Sequence, residues 1–504
     1  MISGEPGKPT EITLMMDSTQ NLVDRLWRRD YTLWNPSPHE ISNRLGWLTL
    51  PEEMVGRVSD LQLFAKKAVD DGFTHAVLCG MGGSSLAAEV LRNTIGVSAG
   101  SLGLLICDST HPRAIASMEE LIDWDTTLFI IASKSGETIE TLSHFHYLHS
   151  RTVRRDQFVA ITDGGSMLER LAQAEKFREV FLNPSDVGGR YSALSLFGLV
   201  PFALMGGDIE ALLAGGRQMA DKCRVDSLDD NPGASLGQIL ANAALSGRDK
   251  VTFVLPEEIA GLGHWVEQLL AESTGKLGKG IVPVVGEEIG PPSVYGDDRL
   301  FVAYGESEAL DALREAGHPV VVLDYGAGAG GLGGEFFRWE FAVAVAGHLM
   351  AVNPFDQPDV ASAKEATKTV LEKGELDQRE AVGDDLDSVL ATIGPGDYVA
   401  IQAFLPSAEE TGALHKARMR IRDKYQVATT LGFGPRFLHS TGQLHKGGPN
   451  TGVMIQVVDP ERKFDIEIPG SPYTFGDLLD AQALGDLQAL RAKGRRAARV
   501  TSLD

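Results

Sequence analysis

The 504-residue sequence has few cysteines and no apolar segment long enough to cross a membrane. Its three cysteines, Cys79, Cys107 and Cys223, are widely spaced, so the sequence predicts neither a disulfide framework nor a CxxC metal site. No stretch reaches about 18 apolar residues without a charge, which excludes a transmembrane helix. The N-terminal residues also lack the basic and apolar regions of a secretion signal, so we expect a cytoplasmic protein.

Positive charge is also scarce. The chain has 46 lysines and arginines against 69 aspartates and glutamates, which gives a formal net charge of −23. This excess of negative charge disfavours nucleic-acid binding, which depends on neutralising phosphates, and we expect no membrane partner. A small, locally positive site for an anion is compatible with the composition. Glycine, by contrast, is abundant at 56 residues, which indicates many tight turns and close backbone approaches.

Strand and helix patterns alternate along the first three quarters of the chain. Short apolar runs bounded by helical segments recur between residues 56 and 175 and again between 250 and 352. This alternation is typical of α/β domains with a doubly wound parallel sheet and helices on both faces. We therefore predict an N-terminal arm over 1–50, two such domains over 51–208 and 209–380, and a separate C-terminal domain over 381–504.

The predicted C-terminal domain has a different element order. Its patterns read β-α-β-β-α-β, which is typical of the ferredoxin-like α+β fold. The two central strands are joined by the 17 residues of 434–450 (GPRFLHSTGQLHKGGPN). Hairpin connections usually need about 2–5 residues, so a loop of this length is either functional or disordered.

The motif SKSGET at 133–138 follows a predicted buried strand and opens a helix. Ser133, Ser135 and Thr138 supply hydroxyl groups, and the N-terminus of the helix adds backbone N–H donors and a favourable dipole. This combination predicts a site for a phosphate monoester. The alternative is simple N-capping of the helix by one of these side chains.

A second glycine-rich turn, GMGGSS at 80–85, also lies between a strand and a helix. It lacks the full G-x-G-x-x-G spacing and the acidic residue about 20 positions later that a dinucleotide site needs. The glycines instead allow the backbone to approach a smaller ligand, with Ser84 as a donor. Packing alone is the alternative.

Two charged residues occur in segments that are otherwise rich in glycine or apolar residues. Arg190 follows a glycine pair in VGGRYSALS, where it is either a solvated charge or a group that stabilises negative charge on a phosphorylated ligand. Glu272 lies among leucine and alanine in EQLLAESTGK. Burial there would raise its pKa towards that of a general base, whereas an exposed glutamate on the polar helix face is the alternative that this motif alone favours.

Five motifs together resemble those of the glucose-6-phosphate isomerase family, in the same order: GMGGSS, SKSGET, VGGRYSALS, EQLLAESTGK and NPFDQPDVASAK (353–364). The resemblance covers about 60–370 and implies two sugar-isomerase (SIS) domains. With its extra C-terminal domain, the chain is similar to the isomerase half of transaldolase–isomerase fusions. Its first 60 residues are too few for a transaldolase barrel, which needs about 250.

The resemblance implies an aldose–ketose isomerase that interconverts glucose 6-phosphate and fructose 6-phosphate, as a homodimer and without a metal or redox cofactor. It implies Glu272 as the base, Arg190 as the group that stabilises a cis-enediolate, and Lys364 as a participant in ring opening. The residues implied to bind the substrate and its phosphate are Gly83, Ser84, Ser133, Lys134, Ser135, Thr138, Gln268 and Gln357. A bifunctional phosphoglucose/phosphomannose isomerase and a non-catalytic sugar-phosphate sensor are the alternatives.

One feature of the family is absent from its expected place. Many members carry a ring-opening histidine between the base and the late lysine, but this interval holds only His318 and His348, without the family's local motif. The 434–450 loop is instead rich in titratable groups. We predict that it reaches an active site of its own or a neighbouring subunit, with His439 or His445 replacing the missing histidine. A solvated loop or a subunit contact is the alternative.

Overall fold

A computed structural model of the chain describes residues 21–373, 383–459 and 462–503. The first 20 residues of the predicted arm lie outside these ranges, and so does the predicted domain boundary at 380/381. Three all-parallel sheets are present in the described ranges, one inside each of the three predicted domain segments. No helix in the described part of the chain is both long and apolar enough to cross a bilayer.

The first sheet has five parallel strands in the order β2-β1-β3-β4-β5. The strands are β1 (His75–Cys79), β2 (Gly103–Cys107), β3 (Thr127–Ala132), β4 (Phe158–Asp163) and β5 (Glu179–Asn183). The strands β3 and β4 are aliphatic or aromatic along almost their whole length and are buried on both faces, as expected for parallel strands covered by helices on each side. The predicted α/β sheet is confirmed, and β5 is an additional strand that the sequence pattern did not predict.

The helices of this first part begin with two short ones, one in the arm and one at its end, and the later helices alternate with the strands. They are α1 (Leu22–Trp27), α2 (Leu50–Glu53), α3 (Val58–Asp70), α4 (Leu86–Ile95), α5 (Pro112–Glu119), α6 (Ile139–Arg151), α7 (Met167–Ala174) and α8 (Leu196–Leu204).

The second sheet has four parallel strands in the order β7-β6-β8-β9. They are β6 (Lys250–Val254), β7 (Val282–Val284), β8 (Arg299–Tyr304) and β9 (Val320–Leu323). The accompanying helices are α9 (Ile209–Lys222), α10 (Pro232–Leu245), α11 (Ala260–Thr274), α12 (Glu308–Glu315), α13 (Gly328–Leu349) and α14 (Ala361–Lys373). The long apolar α13 packs against α9 and α10, so it forms the centre of this half.

The arm is part of the largest hydrophobic core. Trp34 and Trp47 are buried in it, and the Trp34 indole donates to the Ala344 carbonyl of α13 at 2.9 Å. His348, near the end of the same helix, contacts the Leu33 carbonyl through Nδ1 at 2.6 Å. This contact joins the half-buried imidazole to the arm.

The prediction of a ferredoxin-like C-terminal domain is wrong. The four strands β10 (Tyr398–Phe404), β11 (Ala428–Phe433), β12 (Gly452–Val458) and β13 (Arg496–Val500) are all parallel, in the order β11-β10-β12-β13. A ferredoxin-like sheet would be antiparallel. The helices of this part are α15 (Leu386–Leu390), α16 (Ser407–Tyr425), α17 (Gly442–Gly447) and α18 (Phe475–Ala492).

The connection between β11 and β12 explains this difference. A parallel pair needs a crossover of a dozen or more residues, and the segment 434–450 is long enough to make one. It contains a 3-10 turn (Arg436–His439) followed by α17. The chain therefore returns to enter β12 in the same direction as β10, instead of forming a hairpin.

Candidate active site

A cavity of about 550 Å³ lies at the carboxyl ends of β1, β3, β4 and β5, where parallel sheets bind their ligands. Residues from α11, from the segment before α14 and from the 434–450 crossover complete its wall. Twelve of the thirteen predicted site residues line this cavity: Gly83, Ser84, Ser133, Lys134, Ser135, Thr138, Arg190, Gln268, Glu272, Gln357, Lys364 and His439. The sequence motifs thus converge on one place.

The SKSGET turn forms one wall of the cavity. The Ser133 and Thr138 hydroxyls lie 2.9 Å apart, and the backbone N–H of Gly136 donates to Ser133 Oγ at 3.1 Å. Gly136 has a φ of +73°, and a Cβ there would lie 2.3 Å from the Leu168 nitrogen, so only glycine fits. Thr138 is the N-cap of α6, but its hydroxyl does not cap the helix. Simple capping therefore does not describe this side chain.

Lys134 is paired with an acidic residue. Its ammonium group donates to the Asp163 carboxylate and, at 2.9 Å, to the Ser185 carbonyl. Burial raises the pKa of Asp163, while the lysine opposes that shift. Because Asp163 largely offsets the lysine charge, the hydroxyls, backbone donors and helix dipole of this turn carry much of its affinity for an anion.

Arg190 is 5% exposed, which contradicts the interpretation of it as a solvated charge. Its guanidinium donates to the Ser273 hydroxyl at 2.8 Å and to the carbonyls of Pro354 and Asp356 at 2.7 and 2.8 Å. It also reaches Gln357 Oε1 at 3.3 Å. These contacts hold the guanidinium in one orientation at the cavity wall.

The glycine-rich turn at 80–85 packs closely against the turn that carries Arg190. A Cβ at Gly83 would lie 2.1 Å from the Gly189 carbonyl oxygen and 3.0 Å from the Arg190 nitrogen. Glycine is therefore required for the loop after β1 to approach the turn that carries Arg190. This close approach is to a neighbouring turn of the protein, which is the packing alternative, and the approach of these glycines to a ligand stays a prediction.

Glu272 lies in the last turn of α11 and is 8% exposed, so it is not on a solvated helix face. Arg190 Nη1 contacts its Oε1 at 3.0 Å, and Gln268 Nε2 donates to its Oε2 at 3.0 Å. Both carboxylate oxygens are thus held by donors that also line the cavity. A carboxylate in this position can accept a proton from a ligand bound beside it.

Lys276, which was not predicted from the sequence, is 2% exposed and lies just after α11. Its ammonium group donates to the Asn353 carbonyl and, at 2.7 Å, to Asp356 Oδ1. Burial, and then the like charge of Arg190, lower the pKa of Lys276 to about 7. Lys276 therefore anchors the segment whose carbonyls bind Arg190. Lys276 is the last residue of the EQLLAESTGK motif, and its place in that motif is the one sign in the sequence that it belongs to the site.

The 434–450 crossover reaches the cavity of its own chain. Arg436 pairs with Glu89 and, at 3.1 Å, with Asp108, which fixes the 3-10 turn beside the first sheet. His439, at the end of this turn, contacts Glu140 Oε1 through Nε2 at 2.7 Å. The predicted loop is therefore an ordered part of the cavity wall and not a solvated loop.

Glu140, on the first turn of α6, is 2% exposed and was not predicted from the sequence. Gln482 of α18 donates to the same Oε1 at 2.7 Å. Burial alone would raise the pKa of Glu140, but its charge interaction and hydrogen bond with His439 lower that pKa to about 2. The carboxylate therefore stays ionised and faces His439 as a fixed negative charge.

His445 is not at the cavity, which corrects the prediction that named it together with His439. It lies in α17, is 3% exposed, and its Nδ1 is 2.9 Å from Gln402 Nε2. Burial lowers the pKa of His445 to about 3, so the ring is neutral at physiological pH. The two histidines are six residues apart but have different surroundings: His439 ends the 3-10 turn at the cavity, whereas His445 lies in α17, whose residues are buried in the core.

The fold is that of SIS-type α/β proteins, and the cavity at the sheet edge brings the five sequence motifs together. A model of the phosphoglucose isomerase family matches residues 64–288, and the predicted resemblance to glucose-6-phosphate isomerases is confirmed.

Two curated relatives illustrate this resemblance. A probable glucose-6-phosphate isomerase of Methanococcus maripaludis is 24% identical over 389 residues, covering 67% of this chain and 86% of the relative. The glucose-6-phosphate isomerase of Rubrobacter xylanophilus is 28% identical over 383 residues, which cover 64% of this chain and 88% of the relative.

Solved structures share the fold. A hypothetical protein from Thermus thermophilus has a TM-score of 0.61 and 25% identity over 70% of this chain and 96% of that chain. A glucose-6-phosphate isomerase from Chlamydia trachomatis has a TM-score of 0.58 and 18% identity, over 74% of this chain and 88% of that chain.

Proposed function

We propose that the protein is a glucose-6-phosphate isomerase that interconverts glucose 6-phosphate and fructose 6-phosphate. The observation that carries this proposal is the pairing of Glu272 with Arg190 at 3.0 Å, in the same cavity as the SKSGET turn. A carboxylate base beside a buried guanidinium suits proton transfer through a negatively charged intermediate. The family match and the names of the curated relatives support the same reaction.

In this proposal the phosphate of the substrate binds the turn formed by 133–138. The hydroxyls of Ser133, Ser135 and Thr138 and the backbone N–H groups at the start of α6 donate hydrogen bonds to the phosphate oxygens. Binding energy gained at this end holds the reacting carbons near Glu272, far from the phosphate. Ser84 and Gln357, on other walls of the cavity, are assigned to the sugar hydroxyls.

Glu272 is assigned as the base that removes the proton from C2 of the open-chain aldose and returns it to C1. Gln268 keeps the carboxylate oriented through its hydrogen bond to Oε2. Arg190 stabilises the cis-enediolate that forms between the two proton transfers. Transfer of the hydroxyl proton from O2 to O1 completes the ketose, and the reverse sequence gives the aldose.

Ring opening is assigned to His439, with Lys364 beside it on the cavity wall. The support for this assignment is that His439 lines the cavity, where its imidazole is held in place by the contact of Nε2 with Glu140 Oε1 at 2.7 Å. In this chain the C-terminal domain supplies the histidine to its own active site.

We also retain the predicted domain boundaries and a cytoplasmic homodimer as proposals, and light scattering of the purified protein tests the dimer.

The decisive experiment is a coupled assay that presents glucose 6-phosphate and mannose 6-phosphate to wild type and to Glu272→Gln. We expect turnover of glucose 6-phosphate by wild type and a loss of about 10²–10⁴-fold in kcat for the variant. Retention of wild-type turnover by Glu272→Gln would remove the assignment of the base. Turnover of both sugars would favour the bifunctional isomerase, and binding without turnover would favour the sensor.

A further inference from the structure

Three soft metal-ligating side chains meet in the interior of the first sheet, away from the cavity already described. Cys79 ends β1 and Cys107 ends β2, and the two residues are direct register partners in the parallel sheet. Paired residues point to the same face, and α6 places His144 over that face. The ligand atoms of the three side chains all lie within 4.8 Å of one another.

The surroundings of this cluster are dry and apolar. Cys79 is 0%, Cys107 6% and His144 1% exposed. The ring of Phe475, at the start of α18, stacks on the imidazole with centroids 5.6 Å apart and covers it. The cluster is therefore closed off by the C-terminal domain.

His144 is prepared to ligate through one particular nitrogen. Its Nε2 lies 2.9 Å from the Ser109 carbonyl oxygen, which can only accept a hydrogen bond, so Nε2 carries the proton. The lone pair is then on Nδ1. This atom is buried, and the Cys107 thiol, another member of the cluster, hydrogen-bonds to the same imidazole. A ring N–H held by a backbone carbonyl is the arrangement that fixes metal-ligating histidines.

We propose that Cys79, Cys107 and His144 bind one Zn²⁺ ion as a structural site. Two thiolates and a neutral imidazole form a Cys2His donor set, which holds the ion through three protein ligands. The two thiolate charges offset the charge of the ion, so the complex is neutral, as its apolar surroundings require. Binding releases one proton from each thiol. Hard cations such as Mg²⁺ and Ca²⁺ prefer oxygen ligands and do not suit this set.

The site ties together three elements that position the catalytic cavity. β1 leads directly into the glycine loop at 80–85, and α6 carries the SKSGET turn at its N-terminus. His144 lies one helical turn after Glu140, on the same face of α6. Zinc would therefore fix the helix that holds the partner of His439, without touching the substrate. The spacing of the three ligands in the sequence matches no CxxC-type pattern, which is why the sequence predicted no metal site.

The test uses the full chain expressed with zinc in the medium, dialysed against a weak chelator and analysed for bound zinc per chain. Cys223→Ser is the matched control, because Cys223 is also a buried free thiol but lies outside the cluster. We expect one zinc per chain in wild type and in Cys223→Ser, and at least a tenfold loss in Cys107→Ser. Should Cys107→Ser fail to fold, His144→Gln takes its place, since glutamine keeps a donor for the Ser109 carbonyl.

Cobalt substitution provides an independent, spectroscopic measurement. Protein expressed with Co²⁺ should show a thiolate-to-cobalt charge-transfer band in the near ultraviolet, and Cys79→Ser should weaken it while Cys223→Ser does not. The proposal is overturned if wild type holds no more zinc than Cys107→Ser, if Cys223→Ser loses zinc equally, or if the band is absent. Copper in place of zinc would overturn the assignment of the ion.

Discussion

The side chain of Gln268 joins the proposed base to the C-terminal domain. Its Nε2 donates to Glu272 Oε2 at 3.0 Å and to the backbone carbonyl of His439 at 2.8 Å. One amide group therefore orients the base and fixes the crossover that brings His439 to the cavity. The third sheet is thus not an independent appendage, because its crossover completes the wall of the site.

The two histidines of the crossover give a matched pair of variants. We expect His439→Ala to lower kcat about 10²-fold or more, since it removes a proton donor from the cavity wall. His445→Ala should change kcat less than twofold but destabilise the fold by about 1–3 kcal/mol, because it leaves a cavity and an unpaired Gln402. Steady-state kinetics and urea unfolding of both variants measure these effects. Equal turnover in the two variants would contradict the assignment of ring opening to His439.

Much of the site could be predicted because its motifs are local. A strand, a glycine-rich turn and a helix are consecutive in sequence, so GMGGSS and SKSGET place their residues at one sheet edge before any tertiary structure is known. The choice between His439 and His445 could not be made, since it depends on which face α17 buries. Glu140 and the parallel C-terminal sheet were missed for the same reason: contacts between distant segments determine them.

Acid should weaken the fold through Glu140. The pKa of this residue is about 2 in the folded protein and about 4.5 in its ordinary range, so its ionised form stabilises the fold above pH 4.5. That contribution, on the order of 3 kcal/mol, is lost as the pH falls from 4.5 to 2. Urea unfolding across this range should show a steeper loss for wild type than for Glu140→Gln. Parallel curves for the two proteins would contradict the pairing with His439.

The proposed phosphate turn can be tested with two threonines of the same region. Thr138→Val removes a hydroxyl that lines the cavity and does not cap α6, so we expect KM to rise about tenfold with a smaller change in kcat. Thr141→Val is the control, because the Thr141 hydroxyl is buried and has no hydrogen-bond partner among the residues described. Its kinetics should match those of wild type. An unchanged KM in Thr138→Val would remove this hydroxyl from the phosphate site.

Lys276 should make stability rise with pH above neutrality. Its pKa is about 7 in the folded protein and about 10.5 when exposed, so between these values the unfolded chain binds more protons than the folded one. Raising the pH from 7 to 10 therefore relieves the cost of burying the charge by on the order of 3 kcal/mol. Lys276→Met has no charge to bury at this position. The free energy of unfolding of wild type should therefore rise relative to that of the variant between pH 7 and pH 10. Chemical denaturation of both proteins at the two pH values measures the difference, in which the other titrating groups largely cancel. A difference independent of pH would mean that Lys276 stays protonated in the fold and that its bonds to Asp356 and the Asn353 carbonyl outweigh its burial.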